Sequence, residues 1–312
     1  VDVAVRAFRI PLRNRFRGLR VREGVLVRGP AGWAELSPFA DYDPVSRARW
    51  LESTREAATR PWPDPARTRV PVNVTVPAVS PGRAREIVAA SGCSTAKVKV
   101  GTGTDEARVE AVRDALGASG RLRVDANGCW DLDEAAHAIR VLSRYDLEYV
   151  EQPVASLDDM ARLHRRVDVP LALDESIRTA EDPARVEAKR AGDIVVLKAQ
   201  PLGGVRAALR VAEGLGLPVV VSSALETSVG LSAGLALAAA LPELPYACGL
   251  ATLRLLEGDV VAEPLEPAGG TLDVRRPPVD ESALAPHSAS HRESPHLAGL
   301  LSLARAELSA LR

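Results

Sequence analysis

The sequence predicts an α/β protein: a (β/α) barrel carrying a small α+β capping domain built from both chain ends. Three observations predict it. Between residues 71 and 253, eight short β-branched runs alternate with helix-like stretches at roughly 25-residue spacing. That alternation implies parallel βαβ units, and eight of them close into a barrel rather than an open sheet. The flanking residues lack the alternation, and a length of 312 residues suits a barrel with a companion domain.

The elements follow in chain order. Residues 1–10 and 21–35 alternate like strands of an antiparallel sheet, with the arginine-rich RNRFRGLRVREG (13–24) around their junction. SRARWLESTREAATR reads as a helix and PWPDPART as a linker. Barrel strands are expected at VNVTV (72–76), AKVKV (96–100), LRVDAN (122–127), YVEQPV (149–154), LALDE (171–175), DIVVLKA (193–199), PVVVSSA (218–224) and YACGLATL (246–253). DEARVEAVRDALGAS, DLDEAAHAIRVLSRY and GGVRAALRVAEGLG supply amphipathic or Ala-rich helices between them, and the apolar LSAGLALAAAL supplies the last. Beyond residue 253, LEGDVV and GGTLDV are short strand-like pieces, PHSASHRESPH (286–296) is a polar, mobile loop, and LAGLLSLARAELSALR is a closing amphipathic helix. This divides the chain into a capping domain of residues 1–70 with 254–312, and a barrel of residues 71–253.

Composition narrows the function classes. The net charge is −1, and no basic stripe marks a nucleic-acid surface, so nucleic acid is not an expected partner. Three widely spaced cysteines form neither a disulfide framework nor a CxxC pair, which fits a reducing cytosol. The N-terminal residues are interrupted by arginines and lack an apolar signal core. The apolar run 231–241 is too short to span a membrane, so a cytoplasmic protein with no membrane partner is expected. Of the 40 basic residues only four are lysine, namely Lys97, Lys99, Lys189 and Lys198. Arginine cannot give up its proton near neutral pH, whereas lysine can, so the retained lysines are candidates for sites where deprotonation matters.

Their placement makes a site. Lys99 falls near the end of the second barrel strand, Asp125 at the end of the third, Glu151 of the fourth, Asp174 of the fifth and Lys198 of the sixth, at spacings of 26, 26, 23 and 24 residues. One ionisable residue therefore recurs per βα unit, on the C-terminal face from which barrel enzymes draw their catalytic groups. The second and sixth strands of an eight-stranded barrel are opposite each other, so two lysines would face across the mouth with three carboxylates between them. Three oxygen ligands from neighbouring strands suit Mg²⁺ better than zinc. Residues i and i+2 share a strand face, so Lys97 points with Lys99, and Arg123 and Asn127 point with Asp125. A second cation beside Lys99 is expected to lower its pKa toward that of a lysine base.

Other residues read as structural. His137 and His164 lie in helical segments, Lys189 is expected to be solvated, and His287, His291 and His296 are too loosely spaced for a metal site. Gly203–Gly204 could cradle an anion at a helix start but reads more simply as a tight turn.

AKVKVG, LRVDANGCW, YVEQPV, LALDES and VVLKAQPLGG, in this order, resemble the successive motifs of the enolase superfamily. More narrowly they resemble its muconate-lactonising subgroup, with Lys-x-Lys on the second strand and Lys on the sixth. The resemblance covers nearly the whole chain, capping domain included. It implies that Asp125, Glu151 and Asp174 ligate Mg²⁺ and that Lys99 and Lys198 form the acid/base pair. A small-molecule carboxylate would chelate the metal, lysine would remove the proton α to the carboxylate, and metal and cations would hold the enediolate. VVVSSALETSVG and CGLATLRLLEGDVV resemble the branch that dehydrates a succinyl-hydroxycyclohexadiene carboxylate to o-succinylbenzoate in menaquinone biosynthesis. That likeness implies Ser222 and Ser223 near the succinyl end, Lys97 and Arg123 near a carboxylate, Asn127 among the substrate-binding residues, and RNRFRGLRVREG as a loop closing over substrate. In such a syn dehydration Lys99 would move the proton and Lys198 would hold charge.

The departures also inform. YACGLATL lacks the Asp-x-Asp of the superfamily's dipeptide epimerases, and the seventh strand lacks the histidine base of mandelate-type relatives. An N-acylamino acid racemase using the same lysine pair remains the alternative enzyme. A non-catalytic carboxylate-binding barrel is the alternative of another class, and it leaves the deprotonatable lysines without a purpose. Oligomeric state is not legible in the sequence.

Overall fold

The computed structural model describes residues 4–16, 18–181, 183, 186 and 188–310. Three strands, β1 (Val5–Phe16), β2 (Leu19–Gly29) and β3 (Gly32–Leu36), form an antiparallel sheet in that order. The β1–β2 hairpin runs through the arginine-rich segment, from Val5↔Val27 to Phe16↔Leu19, with an irregularity between Pro11 and Phe16. The strand outlasts its apolar alternation because ladder pairing needs only the backbone. Helix α1 (Pro44–Thr59) begins where the Asp43 carboxylate accepts from the amides of Val45 and Ser46, with proline in its first turn.

The eight parallel strands follow: β4 (Arg69–Val76), β5 (Thr95–Lys99), β6 (Arg121–Asp125), β7 (Leu147–Glu151), β8 (Leu171–Leu173), β9 (Ile194–Leu197), β10 (Val219–Val221) and β11 (Cys248–Ala251). They alternate with α2 (Pro81–Ala89), α3 (Asp105–Leu116), α4 (Leu132–Leu142), α5 (Leu157–His164), α6 (Glu175–Arg178), α7 (Val205–Leu215) and α8 (Ser228–Ala240). The sheet runs β10-β9-β8-β7-β6-β5-β4-β11. A Ser222↔Gly249 bridge and the Ser223 amide donating to Gly249 O at 3.0 Å close it between β10 and β11. Each strand overlaps its expected run; β4 to β7 begin one to three residues early, and every strand but β4, which ends with its run at Val76, stops short, so the last expected residues form the loops of the C-terminal face.

The main core lies between strands and helices, and α8 is buried all round, matching its lack of charged residues. Inside the barrel, Tyr149, Ala172, Ile194, Val196 and Val220 form an apolar floor with Tyr246. In the cap, Val25, Val27, Leu36 and Trp50 pack against Leu297 and Leu300 of the last helix, α9 (Pro295–Ala310).

The tail differs from expectation in two places. GGTLDV pairs, as β12 (Thr271–Asp273), antiparallel to β4, but LEGDVV forms no strand. Val260 and Val261 are buried instead, and Asp259 caps α8, accepting from the Ser228 amide at 3.0 Å and hydroxyl at 2.5 Å. PHSASHRESPH is anchored rather than loose: Ala289 N donates to Ala7 O at 3.0 Å, Ser294 Oγ to Glu23 at 2.9 Å, and His296 Nε2 meets Pro38 O at 3.0 Å. Its polar side chains serve the cap, which composition alone does not show. Among the described residues no helix is long and apolar enough to cross a membrane.

Candidate active site

Strand register assembles the site. Lys99 pairs with Asp125 and Asp125 with Glu151, so the three form one row across β5, β6 and β7. Lys97, Arg123 and Tyr149 form the inward row beneath. Asp174 and Lys198 stand just past β8 and β9. In the strand order β5 and β9 are four strands apart, which puts Lys99 and Lys198 on opposite walls.

The lysines meet the carboxylates in a definite pattern. Lys99 Nζ donates to Asp125 Oδ2 at 2.5 Å and Asn127 Oδ1 at 2.7 Å, and sits 5.3 Å from the Phe16 ring centre. Lys198 Nζ donates to Asp174 Oδ2 at 2.5 Å, and Arg178 Nε reaches the other oxygen of Asp174 at 3.1 Å. Lys97 Nζ donates to both Glu151 oxygens, at 2.9 and 2.8 Å, and stands 3.4 Å from Asp125. The expected role of Lys97 as a cationic neighbour acting on Lys99 is therefore revised: its charge is met by Glu151 and Asp125.

Burial sets the electrostatics. Burial and the charge of Arg178 push Lys198 below the usual lysine range, against the pull of Asp174. Burial opposes the charge of Lys97, but Glu151 and Asp125 outweigh it and hold the ammonium protonated. Asp125 and Asp174 are held well below the carboxylate range because their lysines outweigh burial. Burial, then repulsion from Asp125 and Asp174, pushes Glu151 up to about 7.

The two lysines open onto one enclosed space of about 30 Å³, roofed by Phe16 and Phe39 of the cap. Lys97, Asp125, Asn127, Ser222 and Ser223 line it too. Ser222 Oγ donates to Gly249 O at 3.3 Å, and Ser223 Oγ shares a 2.7 Å hydrogen bond with Thr252 Oγ1. Arg123 does not line this space. It is fully buried, with Nε on Glu148 at 2.5 Å, Nη1 on Ala247 O at 2.7 Å and Asn73 at 3.2 Å, and its guanidinium over Tyr149. It belongs to the barrel floor because Glu148 and Ala247 draw it downward. At the start of α7, Gly203 and Gly204 have φ of +90° and +115°, and the Glu56 carboxylate accepts from the Arg206 amide at 3.3 Å. A cap carboxylate thus occupies the place considered for an anion. The side chain of Lys189 lies outside the described residues.

Several site residues escaped the sequence reading. Gln152, at φ +38°, accepts from the amides of Asp174 and Ser176 at 3.0 and 3.1 Å and so fixes the loop that carries Asp174. A polar amide inside the apolar YVEQPV was the available signal, since a buried amide needs partners. Thr75, which also lines the space, shares the inward parity of Asn73 in VNVTV. Arg178 gave no periodic signal.

The donor set fits a hard divalent cation. Asp125, Glu151 and Asp174 offer only oxygen, and neither His nor Cys lines the space among the described residues. Burial and repulsion from the neighbouring carboxylates lift Glu151, and a bound dication would relieve the repulsion. Among the described residues no three such side chains close around a common point; each is turned onto an ammonium group instead.

Comparison with known proteins agrees with this fold. Residues 81–278 match the enolase C-terminal domain-like family, and residues 7–58 the enolase N-terminal domain-like family. The o-succinylbenzoate synthase of Thermobifida fusca is 65% identical over 285 residues, covering 90% of each chain. That of Mycolicibacterium smegmatis is 51% identical, covering 88% of this chain and 87% of the relative. The muconate lactonizing enzyme of Pseudomonas fluorescens superposes with a TM-score of 0.79 at 23% identity, covering 92% and 98% of the two chains, a likeness of fold. By these matches the protein belongs to the o-succinylbenzoate synthase family, lyases of the enolase superfamily.

Proposed function

We propose that the protein catalyses the Mg²⁺-dependent syn dehydration of a succinyl-hydroxycyclohexadiene carboxylate to o-succinylbenzoate, in the cytosol and on the route to menaquinone. The supporting observation is that Lys99 and Lys198 open onto one enclosed space from opposite walls, beside Asp125. The relatives' shared name indicates the product, o-succinylbenzoate. In this reading residues 71–253 carry the reaction, and residues 1–70 with 254–312 cap it.

Members of the superfamily generally use a divalent metal. Asp125, Glu151 and Asp174 would hold it here, and when bound it supplies charge that stabilises an enediolate. Lys99, as a neutral amine, takes the proton α to the ring carboxylate on Nζ. It then returns that proton to the departing hydroxyl; the C–O bond breaks, a C=C bond forms and water leaves. Asp125 and Asn127 aim Lys99 Nζ. Lys198, anchored on Asp174, lends positive charge from the opposite face. Lys97 orients Glu151, with its ammonium toward a substrate carboxylate, while Ser222 and Ser223 receive the succinyl arm. Arg123, on the floor, has no part in this assignment.

The opposed lysines also favour a second reading, racemisation of an N-acylamino acid by proton exchange on two faces. A spectroscopic dehydration assay, run beside N-succinylamino acid racemisation with EDTA and with restored Mg²⁺, separates the two. Metal-dependent dehydration far exceeding racemisation is expected. Racemisation alone, or turnover indifferent to EDTA, would overturn the proposal.

A further inference from the structure

One wall of the enclosed space is the loop Ser222–Leu225, which leads from β10 toward α8. Its backbone is unusual: Leu225 has a φ of +67°, a left-handed conformation that a leucine rarely adopts unaided. Within the loop, Ser223 Oγ accepts from the Leu225 amide at 3.0 Å, and Glu226 Oε2 accepts from the Ala224 amide at 2.7 Å. The carbonyls of Ala224 and Leu225 are thereby turned away from the barrel and toward the cap.

Arg22 of β2 meets them there. It is 2% exposed. Its Nε donates to Leu225 O at 2.9 Å and its Nη2 to Ala224 O at 3.4 Å. The same Nη2 donates to Ser37 O and, at 2.8 Å, to Ser37 Oγ. The guanidinium also lies 4.6 Å from the ring centre of Phe39, which roofs the space. One cap side chain therefore fastens the wall of the site, the roof and the end of β3 together. Glu35 of β3 reinforces the joint, accepting from the amides of Thr227 and Gly230, both at 3.1 Å.

We infer that Arg22 is a positioning residue for substrate: from the cap, it holds the Ser222–Leu225 wall in the conformation that receives the non-reacting arm. Arg22 does not itself line the space. The planar fork of a guanidinium can serve Leu225 O and Ser37 O at once, whereas a single ammonium cannot match that geometry. The seating of the cap and the shape of the substrate arm's pocket are then one structural event. The inference rests on the proposed reaction for its kinetic consequence, but not for its structural one.

The test compares R22M and R22K with the unaltered protein. A contact made equally to bound substrate and transition state appears in KM. In R22M, KM should rise about tenfold or more, while kcat stays within about threefold. R22K should fall between R22M and the unaltered enzyme, and it carries the test if R22M does not fold. Hydrogen–deuterium exchange over residues 222–227 should quicken in both variants, with exchange in β5–β8 unchanged. Unchanged KM and unchanged exchange in the folded variants would overturn the inference, as would a fall in kcat at constant KM. If the unaltered protein does not dehydrate the substrate, the functional proposal fails. The exchange measurement then still decides whether Arg22 holds the wall.

Discussion

Replacing Lys99 by arginine separates the two things its side chain can do. The Nζ carries charge to Asp125 Oδ2 at 2.5 Å and Asn127 Oδ1 at 2.7 Å, and it can exchange a proton. Arginine keeps the first property and lacks the second, because its guanidinium stays protonated at any pH the fold survives. The Lys99 side chain is 14% exposed and Asp125 only 1%, so stranding that carboxylate would cost about 3–5 kcal/mol. K99R avoids that cost, and its thermal midpoint should stay within about 3 °C of the unaltered protein. The proton-transfer contribution, about 10²–10⁴ in rate, disappears. K99R should therefore lose about 10³-fold or more in kcat, read as product absorbance against enzyme concentration. K99M loses charge as well and should fall in both activity and midpoint. K99R retaining more than about a tenth of the activity would refute proton transfer by Lys99.

K198R should behave differently, because its role in the proposed dehydration is charge: it should keep a measurable rate, about tenfold down. Complete loss with substrate binding intact would instead favour a two-base mechanism. Glu35 lies 3% exposed at the cap–barrel joint, and burial pushes its carboxyl up to about 7, against the pull of Arg22. Because its folded pKa is raised, its contribution is fully present at acid pH and lost as pH rises through about 7. The stability of the unaltered protein relative to E35Q should fall by on the order of 3 kcal/mol between about pH 5 and 8, measured by urea unfolding. A flat difference would mean that the surrounding donors keep Glu35 ionised throughout. R123M, which strands Glu148, should cost about 3–5 kcal/mol and lower the thermal midpoint with KM unchanged. A large rise in KM would return Arg123 to the substrate.

Much of this architecture is legible in the chain. The barrel shows because each βα unit repeats one strand and one helix, and β4 to β11 all overlap the expected runs. The five ionisable residues show because each repeat delivers one residue to the same face. Parity is weaker evidence for depth. It places Arg123 and Lys97 on the inward face, and both occupy the same row. The flexible stem of Lys97 nevertheless reaches up to Glu151, while Arg123 is pulled down onto Glu148 and Ala247. That difference depends on partners from other strands, which no spacing within one strand reveals. The cap–barrel joint is less legible still. Arg22 and Leu225, or Glu35 and Gly230, are about two hundred residues apart and belong to no shared repeat.

The scarcity of lysine therefore carries two messages rather than one. At Lys99 and Lys198 the ammonium groups open onto the enclosed space, where a proton can be exchanged with a substrate. Lys97 is 7% exposed and held between Glu151 and Asp125, with its proton bound more tightly than in free lysine. A compact ammonium satisfies two convergent carboxylates there, in a position where a planar guanidinium would need more room. Retention of lysine in an arginine-rich chain thus marks small size as well as labile protons. All three line that space, and the neighbouring carboxylates distinguish the cases: two of them grip Lys97, and one anchors each of Lys99 and Lys198.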